Sequence, residues 1–376
     1  MPATGVSRVF GRRLGAAVKE AGASRRGPWG AWFTPHSAAA ARAILERVPT
    51  VDLLVEVRDA RIPLSSAFQP VPLGSCSHKR VILLNKVDLA DRSQTENWIK
   101  HFKELNYICY GVNSHNKENI KELLSILRAR IRDIKVEESN YTATLMLVGI
   151  PNVGKSAIAN SMHQIGRISA AEKGKLKHAI VSSMPGETKD ISSYKIASHP
   201  NIYVLDTPGI LLRELSDAET ASKIALTGAI KDSLVGVCAL AQYFLSILNS
   251  NDEYKRWESF SSKVNDDGSS SHNKEKILNC DFEQKKKQWP SDHTQDFIVR
   301  DVRQTLFKTI SSFEGYLENE VEMSRLIEHQ FAALREAFRV PFEATEDGYS
   351  AVAIKLLNLY RTGRLGRYTL DPVPKY

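Results

Sequence analysis

Gly149-Ile-Pro-Asn-Val-Gly154-Lys155-Ser156 is the stretch whose reading decides the fold. It has the form G-x-x-x-x-G-K-[ST], and an apolar run, Thr144–Val148, leads into it. A strand, a glycine-bounded turn and then a helix make a phosphate loop. The glycines allow a tight turn whose backbone N–H groups, from Asn152, Val153, Gly154, Lys155, Ser156 and Ala157, face phosphates. Lys155 neutralises the β- and γ-phosphates, and the Ser156 hydroxyl is suited to Mg²⁺. The following helix adds its positive N-terminal dipole.

Four further motifs lie around this one. Downstream, Asp206-Thr-Pro-Gly209 follows the apolar run Ile202–Leu205. A carboxylate at a strand end can hold Mg²⁺, and the Gly209 N–H can meet a γ-phosphate. Taken alone, D-x-x-G is most often a turn. Between the two lies Pro185-Gly-Glu-Thr188-Lys-Asp190, where Thr188 is the residue expected to complete the Mg²⁺ shell. Upstream, Asn85-Lys86-Val87-Asp88 closes the run Val81–Leu84. Asp88 can accept from guanine N1–H and the 2-amino group, donors that adenine lacks, so this carboxylate selects GTP over ATP. Asn85 is expected at the base's other edge, and the Lys86 stem over its face. Asn113-Ser114 follows the run Tyr107–Val112, where a backbone N–H can meet guanine O6.

The order is N-K-x-D, Asn-Ser, phosphate loop, Thr loop, D-x-x-G, a circular permutation of the usual GTPase arrangement. Such a permutation costs little where a domain's termini lie close together. Strands are expected at Leu53–Val57, Val81–Leu84, Tyr107–Val112, Thr144–Val148 and Ile202–Leu205, with helices at Ser93–Leu105, opened by a Ser93/Glu96 capping box, and at Asn119–Ile134. Lys135–Asn140 is the added connection. The fold class is therefore α/β: a circularly permuted Ras-like P-loop GTPase domain over residues 32–215, then a smaller, mainly helical domain over 216–376 with a polar insertion at about 249–296. Because D-x-x-G runs directly into the second domain, movement at Gly209 can pass into it.

Composition sets the outer bounds. The chain has 376 residues, 42% hydrophobic and 25% charged, which excludes a collagen or a fully disordered polymer. The net charge of +8 is concentrated at one end: residues 1–31 hold Arg8, Arg12, Arg13, Lys19, Arg25 and Arg26 against Glu20 alone. This basic, acid-poor, amphipathic start reads as an organellar transit segment, mitochondrion ahead of plastid; the other reading is a disordered basic tail that touches RNA. Four cysteines without C-x-x-C spacing indicate neither a zinc knuckle nor a disulfide framework. The longest apolar run, Leu234–Leu248, is too short to span a bilayer and reads as a buried helix.

Together with Asp59-Ala-Arg-Ile-Pro63, the run Asp206–Leu212 and Leu226-Thr-Gly-Ala-Ile-Lys-Asp232, the motif order resembles the circularly permuted GTPases of the YlqF/RbgA type, and with the transit-like start it looks like their mitochondrial branch. The resemblance implies a GTPase of low intrinsic activity that is stimulated by the ribosome. It would assemble the large mitochondrial ribosomal subunit in the matrix, as a monomer, with hydrolysis coupled to release. Family members carry a hydrophobic residue where Ras-like enzymes place a water-orienting Gln, here Ile210, and a histidine near the N-terminus. The matching position in Trp32-Phe-Thr-Pro-His36 is His36. By itself His36 reads as a surface histidine; the resemblance gives it a water-positioning or general-base role. Asn152 implies K⁺ beside the phosphates, or else only shapes the loop. Asp59-Ala60-Arg61 either supports the nucleotide site or shapes the fold. The tail Arg361-Thr-Gly-Arg364-Leu-Gly-Arg367-Tyr368 suits ribosomal RNA, with arginines on phosphates and Tyr368 stacked on a base; on composition it equally suits a solvated helix end. Two other functions stay open: a plastid or cytosolic assembly GTPase, and a non-hydrolysing GTP-dependent RNA-binding scaffold.

Overall fold

Strands β1 (Leu53–Asp59) and β2 (Arg80–Asn85) are buried along their whole length, which follows from near-continuous apolar sequence in strands covered on both faces. They sit in a six-stranded sheet with β3 (Ile108–Val112), β4 (Thr142–Val148), β5 (Ser192–Ser198) and β6 (Asn201–Asp206), in the order β3-β2-β1-β4-β6-β5. All neighbouring pairs are parallel except β5–β6, which is antiparallel. The computed structural model describes residues 5–23, 32–71, 79–135, 142–169, 190–198, 200–212, 215, 217–260, 293–341 and 345–374.

The permuted order is realised in this sheet. The N-K-x-D strand β2 comes first in the chain and the phosphate-loop strand β4 later, yet β4 joins β1 at the centre. The carboxyl ends of β2, β3, β4 and β6 therefore deliver all four described motifs to one edge of the sheet, where open α/β sheets bind ligands. Helices α3 (Arg92–Glu104) and α4 (Lys117–Ile134) connect the first strands, and α5 (Lys155–Ser169) follows the phosphate loop. Trp98 and Phe102 of α3 bury against β2 and β3, and Leu123, Leu124 and Leu127 of α4 join the main core.

Several expectations are corrected. The α3 cap is Asp91, whose side chain accepts from Gln94 N, and Glu96 pairs with Arg92 instead of closing a box. Strand β5 was not anticipated, because Ser192, Ser193, Lys195 and Ser198 mask the alternation of a sheet-edge strand. Helix α2 (Pro35–Arg47) was not anticipated either; Thr34 caps it by accepting from Ser37 N, and its Ile44 packs with Ile210. Residues 170–189, including Thr188, lie outside the described residues, as does most of the Lys135–Asn140 connection.

The N-terminal segment packs into the fold. Residues Gly5–Ala23 form helix α1, with Val6, Leu14 and Val18 buried against α6 (Ala218–Leu226), α7 (Val237–Asn249) and α9 (Glu320–Ala337). The fit is close: a Cβ on Gly15 would lie 1.7 Å from the Ala218 carbonyl oxygen, and one on Gly22 would lie 2.6 Å from Trp32. Arg13 pairs with Glu320.

The second half is helical, with α6 and α7 followed by a 3-10 segment, Asp252–Phe260, then α8 (His293–Ser311), α9 and α10 (Thr345–Arg361). The expected insertion begins later than at 249, since Trp257 is buried and Tyr254 packs on the core; residues 261–292 lie outside the described residues. The two halves share one core, which runs from β1 and β4 through α6 and α7 to Leu356, Tyr360 and Leu370. The chain after α10 returns to the sheet domain. Leu370 N donates to Arg61 O (2.7 Å), and Asp371 accepts from Leu64 N, Ser65 N and Ser65 Oγ and pairs with Lys223. The boundary expected at residue 216 therefore does not separate two independent bodies. No helix among the described residues is long and apolar enough to cross a membrane.

Candidate nucleotide site

The phosphate loop has the backbone its glycines predict. Gly149 and Gly154 adopt φ of +155° and +96°, and a Cβ on Gly154 would lie 2.3 Å from Asn85 Nδ2. Asn152 also has positive φ, at +60°, which asparagine tolerates better than most residues. Lys155 is buried, and its Nζ donates to the carbonyls of Gly149 (3.1 Å) and Ile150 (2.9 Å). Burial pushes its ammonium down to about 8, against the pull of Asp206.

Ser156 and Asp206 come together as expected: Ser156 Oγ donates to Asp206 Oδ2 at 2.7 Å. The other oxygen, Asp206 Oδ1, is buried with no hydrogen-bond partner among the described residues, and burial raises the carboxyl's pKa despite Ser156 and Lys155. A buried carboxylate oxygen without a donor, beside a hydroxyl, fits a hard oxygen-seeking cation, so Ser156 and Asp206 are the residues that would hold Mg²⁺. Mg²⁺ there neutralises phosphate charge. Thr207 Oγ1 donates to Leu147 O (2.6 Å), fixing the turn to β4. Gly209 lies against the phosphate loop, where a Cβ would come 2.5 Å from Pro151 Cα. Glycine is the residue that lets the D-x-x-G turn approach so closely.

The base-reading end is tied together inside the protein. Asn85 is fully buried, and both ends of its amide are engaged inside the protein: Nδ2 donates to Val153 O (2.8 Å) and Oδ1 accepts from Ser114 N (3.1 Å). It ties the phosphate loop to the Asn113-Ser114 loop, and an amide nitrogen with two hydrogens has one more to give to the base. Asn113 stiffens that loop by accepting from His115 N, and the Ser114 carbonyl accepts from Ser161 Oγ on α5. Asp88 is exposed, open to a ligand.

Lys86, at φ +64°, carries its ammonium to Asn152 O (2.5 Å) and Asp59 Oδ2 (3.1 Å), so its stem spans from N-K-x-D to the phosphate loop. Asp59 and Arg61, which had no assigned role, support the site through this lysine. Arg61 forks onto both Asp59 oxygens (2.9 and 2.7 Å), and these cations hold the Asp59 carboxyl well below the usual range although burial opposes them. Arg61 also reaches Thr227 O (3.4 Å) and lies over the Tyr360 ring. The sequence held the pair in plain view; its partners, far away along the chain, were not visible there.

Ile210 is buried among Ile44, Val148 and Phe33, an apolar anchor that cannot orient water. His36 is exposed on the first turn of α2. Trp32 Nε1 donates to Leu212 O (3.0 Å), so the segment leading to His36 is fastened to the chain just beyond D-x-x-G.

The arginine tail departs from expectation. Arg361 forks onto Asp232 (2.8 and 2.8 Å) and donates to Leu226 O and Ala225 O, so it is an internal clamp and not an RNA contact. Tyr368 is buried beside Phe244 and Tyr360, with its hydroxyl on Leu365 O, and cannot stack on a base. Arg364 is half-buried, its carbonyl gripped by Arg303; Arg367 is exposed.

Comparison with known proteins agrees with this geometry. The sequence profile of a 50S ribosome-binding GTPase family matches residues 144–277. The chain is 53% identical to DAR GTPase 2, mitochondrial, of Arabidopsis thaliana, over 99% of this chain and 97% of that protein. Short integuments 2, mitochondrial, of the same plant is 39% identical, over 92% and 89%. Ribosome biogenesis GTPase A of Bacillus cereus is 32% identical over 58% of this chain and 72% of its own length. The fold and site define a circularly permuted P-loop GTPase, an enzyme that hydrolyses GTP. Within that class, the chain belongs to the RbgA/YlqF-type family that includes DAR GTPase 2.

Proposed function

We propose that this GTPase assembles the large ribosomal subunit in the mitochondrial matrix, acts as a monomer, and leaves the particle when GTP is hydrolysed. The observation that carries the reading is the match over almost the whole chain to a protein named as a mitochondrial DAR GTPase. A relative named for ribosome biogenesis and a family described as binding the 50S ribosome supply the particle. Asn85, Lys86, Asp88, Asn113, Ser114 and residues 152–157 make the guanine and phosphate site, with Gly209 at the γ-phosphate. Thr188 joins Ser156 and Asp206 on Mg²⁺. Arg364 and Arg367 are the tail residues left to meet ribosomal RNA.

In this reading His36 positions the attacking water or takes its proton. An imidazole ring nitrogen can accept a proton, and Trp32 fastens the segment of His36 beside the D-x-x-G turn. Asn152 offers its Oδ1 to K⁺, since its Nδ2 is already given to Gly228 O (3.2 Å) and an amide has only that oxygen left to accept charge.

GTP hydrolysis by the full chain, with and without purified large mitochondrial subunits, in KCl and in NaCl, tests this. Subunits should stimulate turnover, KCl should exceed NaCl, and His36→Ala should lose about 10²–10⁴-fold of the stimulated rate while still binding GTP. Intact GTP binding with no stimulation by the mitochondrial particle would sink the proposed role. It would point to another particle, or to a scaffold that holds GTP without hydrolysing it.

A further inference from the structure

The turn after α6 lies where three parts of the molecule meet. Gly228 has φ +84°, and a Cβ there would lie 3.2 Å from Asn152 Nδ2 on one side and 3.4 Å from the Arg361 guanidinium on the other. Its carbonyl accepts the Asn152 amide at 3.2 Å. Arg361, the last residue of α10, holds the same turn through Ala225 O (3.2 Å), Leu226 O (3.1 Å) and the Asp232 carboxylate. An arginine that satisfies two carbonyls and a bidentate carboxylate fixes both position and orientation, because its planar fork has few ways to make all four bonds.

We infer that Arg361 is a positioning residue of the GTP site: its clamp on residues 225–232 places the Gly228 carbonyl that orients the Asn152 amide in the phosphate loop. Three features of the structure argue that this is more than packing. Asn152 sits at positive φ in the phosphate loop, so its backbone is restrained and its side-chain amide is the adjustable part. That amide has one described donor contact, and it ends on Gly228. The other grip on Asn152, Lys86 Nζ on its carbonyl, runs back through Asp59 and Arg61 to Thr227 O, the neighbouring residue of the same turn. The phosphate loop is therefore braced twice against one turn, and α10 locks that turn. The C-terminal helices complete the nucleotide site, and whatever binds them has a short mechanical path to the phosphates.

The test uses the purified full chain, GTP alone and no ribosomal particle, so it stands or falls apart from the assembly reading. Arg361→Gln removes the fork, and Asn152→Ala removes the oriented amide. Each is expected to lower kcat/KM for GTP by about 10–100-fold, the scale of a misplaced group near the reacting centre. The double variant should lose clearly less than the product of the two single losses, because both act through one turn. Turnover is scored per folded molecule, counted by GDP-binding stoichiometry. Arg361→Lys, which keeps the charge but loses the fork, should follow Arg361→Gln and serves if the latter folds poorly. Losses that multiply in the double variant would overturn the inference. So would an Arg361→Gln protein that melts earlier yet turns over normally per folded molecule, since that is a purely structural arginine.

Discussion

Lys155 sits in the phosphate loop, and its state before GTP arrives has a measurable consequence. Its ammonium rests on two loop carbonyls, buried, with its pKa depressed to about 8. Phosphates favour the charged form, so nucleotide binding raises that pKa and takes up a proton wherever the free site has lost it. The sign follows: affinity is level below pH 8 and falls above it, by about tenfold at pH 9. Folding has the opposite slope. An unfolded lysine titrates near 10.4, so between about 8 and 10.4 the unfolded chain binds more protons and the nucleotide-free protein gains stability as pH rises. Calorimetric titration of GDP from pH 7 to 9, in buffers of different ionisation enthalpy, should show proton uptake growing above 8. A flat affinity over that range would refute the depressed lysine.

Among the elements, α1 meets α6 backbone to backbone at Gly15. Gly15 leaves no room for a side chain, because the first added carbon would overlap the Ala218 carbonyl, and Ala218 opens the helix that follows the D-x-x-G segment. Backbone cannot swing aside as a flexible side chain can. Gly15→Leu should therefore cost at least the upper part of the usual overpacking range, about 3 kcal/mol, read as a lower urea midpoint at unchanged slope. A substitution at Gly5, which meets nothing within 4 Å, is the control and should leave the midpoint in place. This contact also shows where sequence reading stops. The five expected strands, the phosphate loop and the N-K-x-D turn were legible because their chemistry is local: apolar runs, glycines at fixed offsets, a carboxylate at a strand end. The Arg-rich N-terminal segment was read as an address from its charge, since the packing of Val6, Leu14 and Val18 depends on helices some 200 residues or more away. Arg361 and Tyr368 do not meet RNA as expected, because a cation and an aromatic look alike in sequence whether they face RNA or a distant carboxylate and ring.

The main core of the described residues is fastened by segments near both ends of the chain, and that bears on what reaches its place of work. The C-terminal tail is fixed through Asp371 and Leu370 to the loop that carries Arg61, and the N-terminal helix covers α6, α7 and α9. Burying Val6, Leu14 and Val18 stabilises the fold by about 1.5–3 kcal/mol each as an upper estimate, before Arg13 and the glycine contacts are considered. A protein of ordinary stability has only about 5–15 kcal/mol in hand. Trimming the chain at Ala23 would open an apolar face on the helices that follow the D-x-x-G segment and remove much of that margin. In the mitochondrial reading, the segment that directs import then docks as α1 and stays. Protein recovered from mitochondria should yield peptides from within Gly5–Ala23 on mass spectrometry, and a chain starting at residue 24 should melt at least several degrees below the full chain. A mature N-terminus beyond Ala23, with the melting temperature of the full chain retained, would show that α1 is only an address and that the helices beneath it are stable without it.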